Sequence, residues 1–285
     1  MHYAEIPLTL ECQGDALVGI LTQPAHSSEL GVLIIVGGPQ CRTGSHRQFT
    51  LLARGLARHG IPSLRFDYRG MGDSTGALRN FEEIQEDITS ALQGFLTHAP
   101  TTRRFVLWGL CDAASAALLH TRINPEIAGL ILCNPWTRTD QGFAKAQIKH
   151  YYRNRLTNPQ LWKKILSGQF KLTQSLRELC TALLKTARSP TPRGPLLPLP
   201  ERMQHALADY AGPTLLILSG QDLTAREFED TVKTSDLWKS RLSSPAVTRH
   251  DLPEADHTFS QRHWNDQVIQ HSAEWVNSLA QKEFS

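Results

Sequence analysis

Short apolar runs bounded by glycine alternate along this chain with stretches whose apolar residues recur every three or four positions. Few folds satisfy that alternation. Gly31-Val-Leu-Ile-Ile-Val36 has no polar residue and reads as a strand covered on both faces. The period then changes: Phe49, Leu52, Ala53 and Leu56 share one helical face, and Gly60 marks the stop. Ile61 to Phe66 reads as the next strand. An amphipathic helix through Phe81, Ile84, Ile88, Leu92 and Phe95 follows, with Asn80 as its N-cap. Phe105 to Trp108, Asp112 to Thr121 and Ile127 to Leu132 continue the pattern as strand, helix and strand. At the N-terminus, Ile6 to Glu11 and Ala16 to Thr22 flank Gln13-Gly14-Asp15 as a hairpin. The expected class is α/β, with a mainly parallel, doubly covered sheet.

The alternation breaks after Trp136. From Thr137 to Pro200 there are twelve Lys or Arg against Asp140 and Glu178, a net of +10. The rest of the chain therefore carries −7, since the formal total is +3. This segment reads as helical until Ser189–Pro200, where five prolines in twelve residues forbid a helix or a central strand. The pattern resumes with a strand at Thr214 to Leu218, a helix around Ala225 to Trp238 and a strand around Val247 to Leu252. A last helix puts Trp264, Val268, His271, Trp275 and Leu279 on one face. The organisation expected is a core split into 1–136 and 201–285 by a basic helical cap with a Pro-rich loop over 137–200.

Several classes are excluded by what accompanies this pattern. No apolar run approaches the roughly 18 to 20 residues that span a bilayer. The opening residues Met1-His2-Tyr3-Ala4-Glu5 lack the basic and apolar regions of a secretory signal, so a cytoplasmic location is expected. Five cysteines at irregular spacing form neither a disulfide framework nor a zinc pattern, and no metal or cofactor is expected. The positive charge comes without a nucleic-acid-binding motif. It suits instead an anionic acyl carrier or peripheral contact with an anionic membrane surface, where Trp162, Lys163, Lys164, Tyr151 and Tyr152 would sit.

Chemistry concentrates at strand ends. Gly109-Leu-Cys111-Asp-Ala113 joins a strand to a helix, the setting in which a sharp turn presents a nucleophile at the top of the sheet. Gly109 and Ala113 keep the flanks small, and the helix N-terminus favours a thiolate at Cys111. A thiol with a pKa of about 8.5 needs a base at neutral pH. His257 follows the last strand, and Asp222 follows the strand before it, so the chain order nucleophile, acid, base is kept. Asp222 is open to a second reading as a helix cap, and Asp256 is a local alternative partner. The oxyanion hole draws on the N–H of Asp112 and on the turn Gly37-Gly38-Pro39-Gln40. Pro39 has no N–H, which leaves Gly38 or Gln40 as the second donor. The Asp112 side chain reads as a favourable charge at the helix start. Asp67, Arg69 and Asp73 in Phe66-Asp-Tyr-Arg-Gly-Met-Gly-Asp-Ser74 read as one ionic network holding a loop.

Gly37-Gly-Pro-Gln40, Ser45-His-Arg-Gln-Phe49, Phe66 to Ser74, Leu107-Trp-Gly-Leu-Cys-Asp-Ala-Ala-Ser115, Asn134-Pro-Trp136, Lys149-His-Tyr-Tyr152 and Asp256-His-Thr-Phe259 together resemble the exosortase A system-associated hydrolases of the first type. The resemblance implies an α/β-hydrolase fold with Cys111, Asp222 and His257 in the triad positions. It also implies a bacterial context of exopolysaccharide production and protein sorting. The activity expected is cleavage of an ester or thioester, on a small-molecule or carrier-bound acyl substrate, through an acyl-enzyme. An acyltransferase resolving the same intermediate on another acceptor, and a non-catalytic binding protein, are the alternatives.

Overall fold

The structure, a computed structural model, describes residues 3–38, 40–121, 123–124, 126–137 and 197–284. The expected cap over 137–200 lies, except at its ends, outside the described residues, as does Pro39. The chain divides into two units, Met1–Thr137 with Pro200–Ser285, and Arg138–Leu199. The sheet and the candidate site belong to the first.

Eight strands form one sheet in the order β1-β2-β4-β3-β5-β6-β7-β8. They are β1 (Tyr3–Cys12), β2 (Asp15–Pro24), β3 (Leu30–Ile35), β4 (Ser63–Phe66), β5 (Arg104–Leu110), β6 (Ile127–Cys133), β7 (Thr214–Ser219) and β8 (Val247–Leu252). β1 and β2 pair antiparallel as the expected hairpin, and β2 pairs antiparallel with β4. From β4 to β8 every pairing is parallel. Burial follows position. All residues of β3, β4, β6 and β7 are buried, because helices cover both faces of these strands. The hairpin strand β1 alternates instead, with Leu8, Leu10 and Cys12 inward and Thr9 and Glu11 outward. Each fully buried Leu or Ile contributes about 1.5–3 kcal/mol, so the central strands supply most of the driving force.

The helices are α1 (Gln48–Arg58), α2 (Gln85–His98), α3 (Asp112–His120), α4 (Leu199–Asp209), α5 (Leu223–Lys233), α6 (Asp236–Leu242) and α7 (Arg262–Phe284). Two differ from the expected outlines. The segment after Asn80 starts as a 3-10 turn over Phe81–Glu83, capped by the Asn80 side chain, before α2 begins. The helix expected over 225–238 is two helices. Ser235 turns extended and its hydroxyl accepts the Trp238 N–H, which starts α6 afresh. Among the described residues, no helix is long and apolar enough to cross a membrane.

Packing fixes where the strand ends sit. Trp108 of β5 meets Phe49 of α1 edge to face at 5.9 Å, and its Nε1 donates to Ser272 of α7 at 3.3 Å. α1 and α7 pack so closely that a methyl on Gly55 would lie 2.3 Å from Ile269. The Trp108 side chain thus ties β5 to both helices.

Candidate active site

The register of the sheet determines which residues meet. β3 pairs with β5 so that Ile35 lies beside Gly109. The turn after β3 therefore runs alongside the turn after β5, and Gly37-Gly38 faces Cys111-Asp112. On the other side, β6, β7 and β8 end next to one another, bringing Asn134, Ser219 and the loop after Leu252 to the same edge.

Cys111 sits on a strained corner. Its φ of 63° and ψ of −125° are sterically costly for a residue with a Cβ, by about 1–3 kcal/mol. The corner is held from several sides. The Cys111 N–H donates to Cys133 O at 2.9 Å, and its carbonyl accepts from Ala114 N at 3.1 Å and Trp136 N at 3.2 Å. Gly109 is required for the turn to close, because a Cβ there would lie 2.5 Å from the Ala113 backbone. Half-buried, Cys111 occupies the N-cap position of α3.

Asp222 and His257 come together as the chain order suggested. His257 Nδ1 lies 2.8 Å from Asp222 Oδ2. A carboxylate only accepts, so Nδ1 carries the hydrogen and Nε2 keeps its lone pair for a proton from elsewhere. The two readings of Asp222 are not alternatives. The same carboxylate caps α5, with Oδ1 accepting Thr224 N and Oδ2 accepting Ala225 N, each at 3.1 Å. With only 7% of its side chain exposed, it accepts from three N–H donors, those of Thr224, Ala225 and His257. Asp256 is not the partner. It accepts from Thr258 N at 3.2 Å, from Ser260 N at 2.9 Å and from the Ser260 hydroxyl. Burial pulls its carboxyl upward, but these donors and nearby His46 outweigh that and hold it below its ordinary value.

A buried bracket fixes the histidine loop. Asn134, at φ 45°, accepts Ser219 N on Oδ1 at 2.8 Å. Its Nδ2 donates to Ser219 Oγ at 2.9 Å and to His257 O at 3.1 Å. Ser219 Oγ in turn donates to Asp256 O at 2.9 Å. The ends of β6 and β7 thereby grip the backbone that carries His257. Sequence reasoning assigned Asn134 and Ser219 no role. A fully buried asparagine ending an apolar strand was the signal, since its amide must find partners.

The turn after β3 separates the oxyanion candidates. Gln40 N donates to Gly38 O at 2.8 Å, so that N–H is spent within the turn. The Gln40 side-chain oxygen accepts from Ser45 N, Ser45 Oγ and Gln48 Nε2. Of the backbone donors named for this turn, Gly38 N is the one aimed at the elbow, and it meets the Asp112 carboxylate at 2.9 and 3.0 Å. Asp112 does stand at the start of α3, where Oδ1 accepts Ala113 N at 2.9 Å. It also reaches across to the facing turn, which the helix-start reading did not include. Gly37 leaves room for it: a Cβ there would lie 2.2 Å from Asp112 Oδ1. Burial pushes the Asp112 carboxyl above its ordinary value, opposed by the N–H groups of Gly38 and Ala113 and by His257. Beside it, burial takes the Tyr68 phenol up to about 12, with Asp112 and Asp87 adding to the rise.

The loop after β4 is held by two ionic clusters rather than the single one expected. Asp67 accepts from Arg42 N, the Arg42 guanidinium and Asp73 N, while Arg42 Nη2 pairs with Asp73 at 2.7 Å. Arg69 is separate. It pairs with buried Asp87 through N, Nε and Nη2 at 2.8–3.2 Å, and Nη1 donates to Gln13 Oε1 at 2.8 Å. Among the described residues no cluster of three or more His, Cys, Asp or Glu could hold a metal ion.

A sequence model of the alpha/beta hydrolase family matches residues 32–271. No curated protein matches the sequence. Among solved structures, an esterase from Pyrococcus furiosus is similar over 97% of this chain and 93% of its own, at 15% identity and a TM-score of 0.66. A dienelactone hydrolase from Anabaena variabilis is similar over 98% and 99%, at 17% identity and a TM-score of 0.60. An alpha-beta serine hydrolase homologue from Coxiella burnetii is similar over 94% and 96%, at 17% identity and a TM-score of 0.57.

Proposed function

The chain belongs to the alpha/beta hydrolase family, and from that premise we propose that it cleaves an ester or thioester through an acyl-enzyme on Cys111. His257 Nε2 takes the thiol proton, and the Cys111 sulfur attacks the acyl carbon. The tetrahedral intermediate places its negative oxygen towards the N–H groups of Asp112 and Gly38. Collapse expels the alcohol or thiol, which leaves with the proton from His257. Water, deprotonated by His257 in turn, attacks the Cys111 thioester and releases the acid. Asp222 keeps the imidazole in the required tautomer and stabilises its cation.

The observation that carries this reading is the 2.8 Å pairing of His257 Nδ1 with a carboxylate already fixed by a helix terminus. It points the free ring nitrogen away from the acid and leaves it as a base. Incubation with p-nitrophenyl acetate followed by mass spectrometry tests it. An acetyl adduct on Cys111 is expected, absent in Cys111→Ala and at least about a hundredfold slower in His257→Ala. Equal labelling in His257→Ala would refute the triad.

The motif string around Cys111 supports a place among exosortase A system-associated hydrolases, acting in exopolysaccharide-linked metabolism. The +10 segment over 137–200 fits an anionic acyl carrier or an anionic lipid surface. Cys12, Cys41 and Cys133 are free thiols, in keeping with a reducing cytoplasm.

A further inference from the structure

The donor that an acyl oxygen needs at Gly38 is already taken. Both Asp112 carboxylate oxygens lie within 3.0 Å of Gly38 N, and Oδ1 is shared with Ala113 N at 2.9 Å. The arrangement is built rather than incidental: Gly37 has no side chain where Asp112 Oδ1 passes, and the Ala113 methyl packs against the same spot. A carboxylate in this position does two things to the chemistry. It occupies the hydrogen-bond donor of the oxyanion hole, and it sets a negative charge beside a sulfur and an oxygen that must themselves become negative.

We propose that Asp112 is a specificity-determining residue of this site: its carboxylate fills the Gly38 half of the oxyanion hole, and a substrate gains that donor only by displacing it. The proposal rests on the Cys111 acyl-enzyme reading. Displacement has a natural end point, because Asp112 can release Gly38 N and keep Ala113 N at the start of α3. The substrate must supply the energy through contacts remote from the reacting carbonyl. A small activated ester has none and meets a blocked hole. A long-chain or carrier-bound acyl group has many. The site is thereby selective for large, well-anchored acyl donors over small free esters.

Three proteins decide this: wild type, Asp112→Asn and Asp112→Ala, each checked for native circular dichroism and each treated with p-nitrophenyl acetate. Asparagine removes the charge but keeps an acceptor on Gly38 N, whereas alanine frees the donor. Acetylation of Cys111 is expected to quicken in Asp112→Ala by at least about tenfold over wild type, with Asp112→Asn between them. The Gly38 amide resonance should move upfield in Asp112→Ala, a readout that does not depend on catalysis. Equal acceleration in both variants would assign the effect to charge alone and overturn the proposal. Unchanged acetylation in Asp112→Ala, or an unmoved Gly38 amide, would also overturn it while leaving Cys111 as the nucleophile. Labelling absent from all three would instead sink the nucleophile, and this proposal with it. If Asp112→Ala fails to fold, Asp112→Ser, whose short hydroxyl is withdrawn from Gly38 N but stays beside Ala113 N, takes its place with the same expected and refuting outcomes.

Discussion

His120 closes α3 with its ring fully buried. Its Nδ1 lies 2.9 Å from Gln85 Oε1, and among the described residues Nε2 has no partner. The amide oxygen only accepts, so Nδ1 holds the hydrogen and Nε2 faces apolar surroundings with a lone pair. Protonation would create a cation there, and burial accordingly lowers the pKa from 6.5 to about 4. The unfolded chain thus takes up the proton first. The stability tied to the neutral ring is complete above pH 6.5 and is lost as the pH falls towards 4. At about 1.36 kcal/mol per pH unit, the full interval corresponds to about 3 kcal/mol. The α3 C-terminus favours a cation by only about 0.3–1 kcal/mol, which trims this cost without reversing it. Urea unfolding of wild type and His120→Gln from neutral pH to about pH 4 isolates the effect, since other titrating groups are common to both. The wild type should lose about 2–3 kcal/mol more than the variant over that range. Parallel pH profiles would refute the reasoning, because they would mean the ring is protonated in place or is not buried.

Three further outcomes follow from described contacts. Asp222→Asn can keep a cap on α5 but presents an amide to His257, so acylation should fall by about 10³–10⁴ while the thermal midpoint moves by only a few degrees. Asp87→Asn removes the buried carboxylate from the Arg69 guanidinium, leaving it Gln13 and the more exposed Glu86 at 3.5 Å, and should cost about 3–5 kcal/mol in urea unfolding, with Gln13→Ala costing far less. Gly37→Ala forces a methyl to within 2.2 Å of Asp112 Oδ1 and 2.7 Å of Leu110 O; a loss of about 1–3 kcal/mol is expected, read from the denaturation midpoint.

The central sheet was legible because β3 and β6 are apolar along their whole length and β5 from Phe105 onward, and residues buried on both faces leave no ambiguity of period. The elbow was legible for a related reason: a strand and a helix separated by one residue demand small neighbours, and Gly109 and Ala113 are small. What escaped is long-range. Asp112 and Gly38 are 74 residues apart, and only the β3–β5 register brings them together. The bracket of Asn134, Ser219 and His257 likewise joins three strand ends. Arg69 could not be assigned between Asp67 and Asp87 from spacing, since its partner lies on α2. The break between α5 and α6 was hidden because Ser235 is as ordinary on a helix surface as at a cap, and hydrophobic spacing does not tell the two apart. Asp222 posed a different difficulty. Cap and partner looked like rival roles only because a sequence does not show that a carboxylate has two oxygens to share.

That sharing ties reactivity to the integrity of a single helical turn. The acid is aimed by the amides of Thr224 and Ala225, not by a rotamer that could drift on its own. If the first turn of α5 frays, the imidazole loses its anchor while the sheet beneath stays whole. Heating should therefore silence this protein some degrees before it melts, and a substitution that stiffens only the start of α5 would raise its working temperature without raising its melting point.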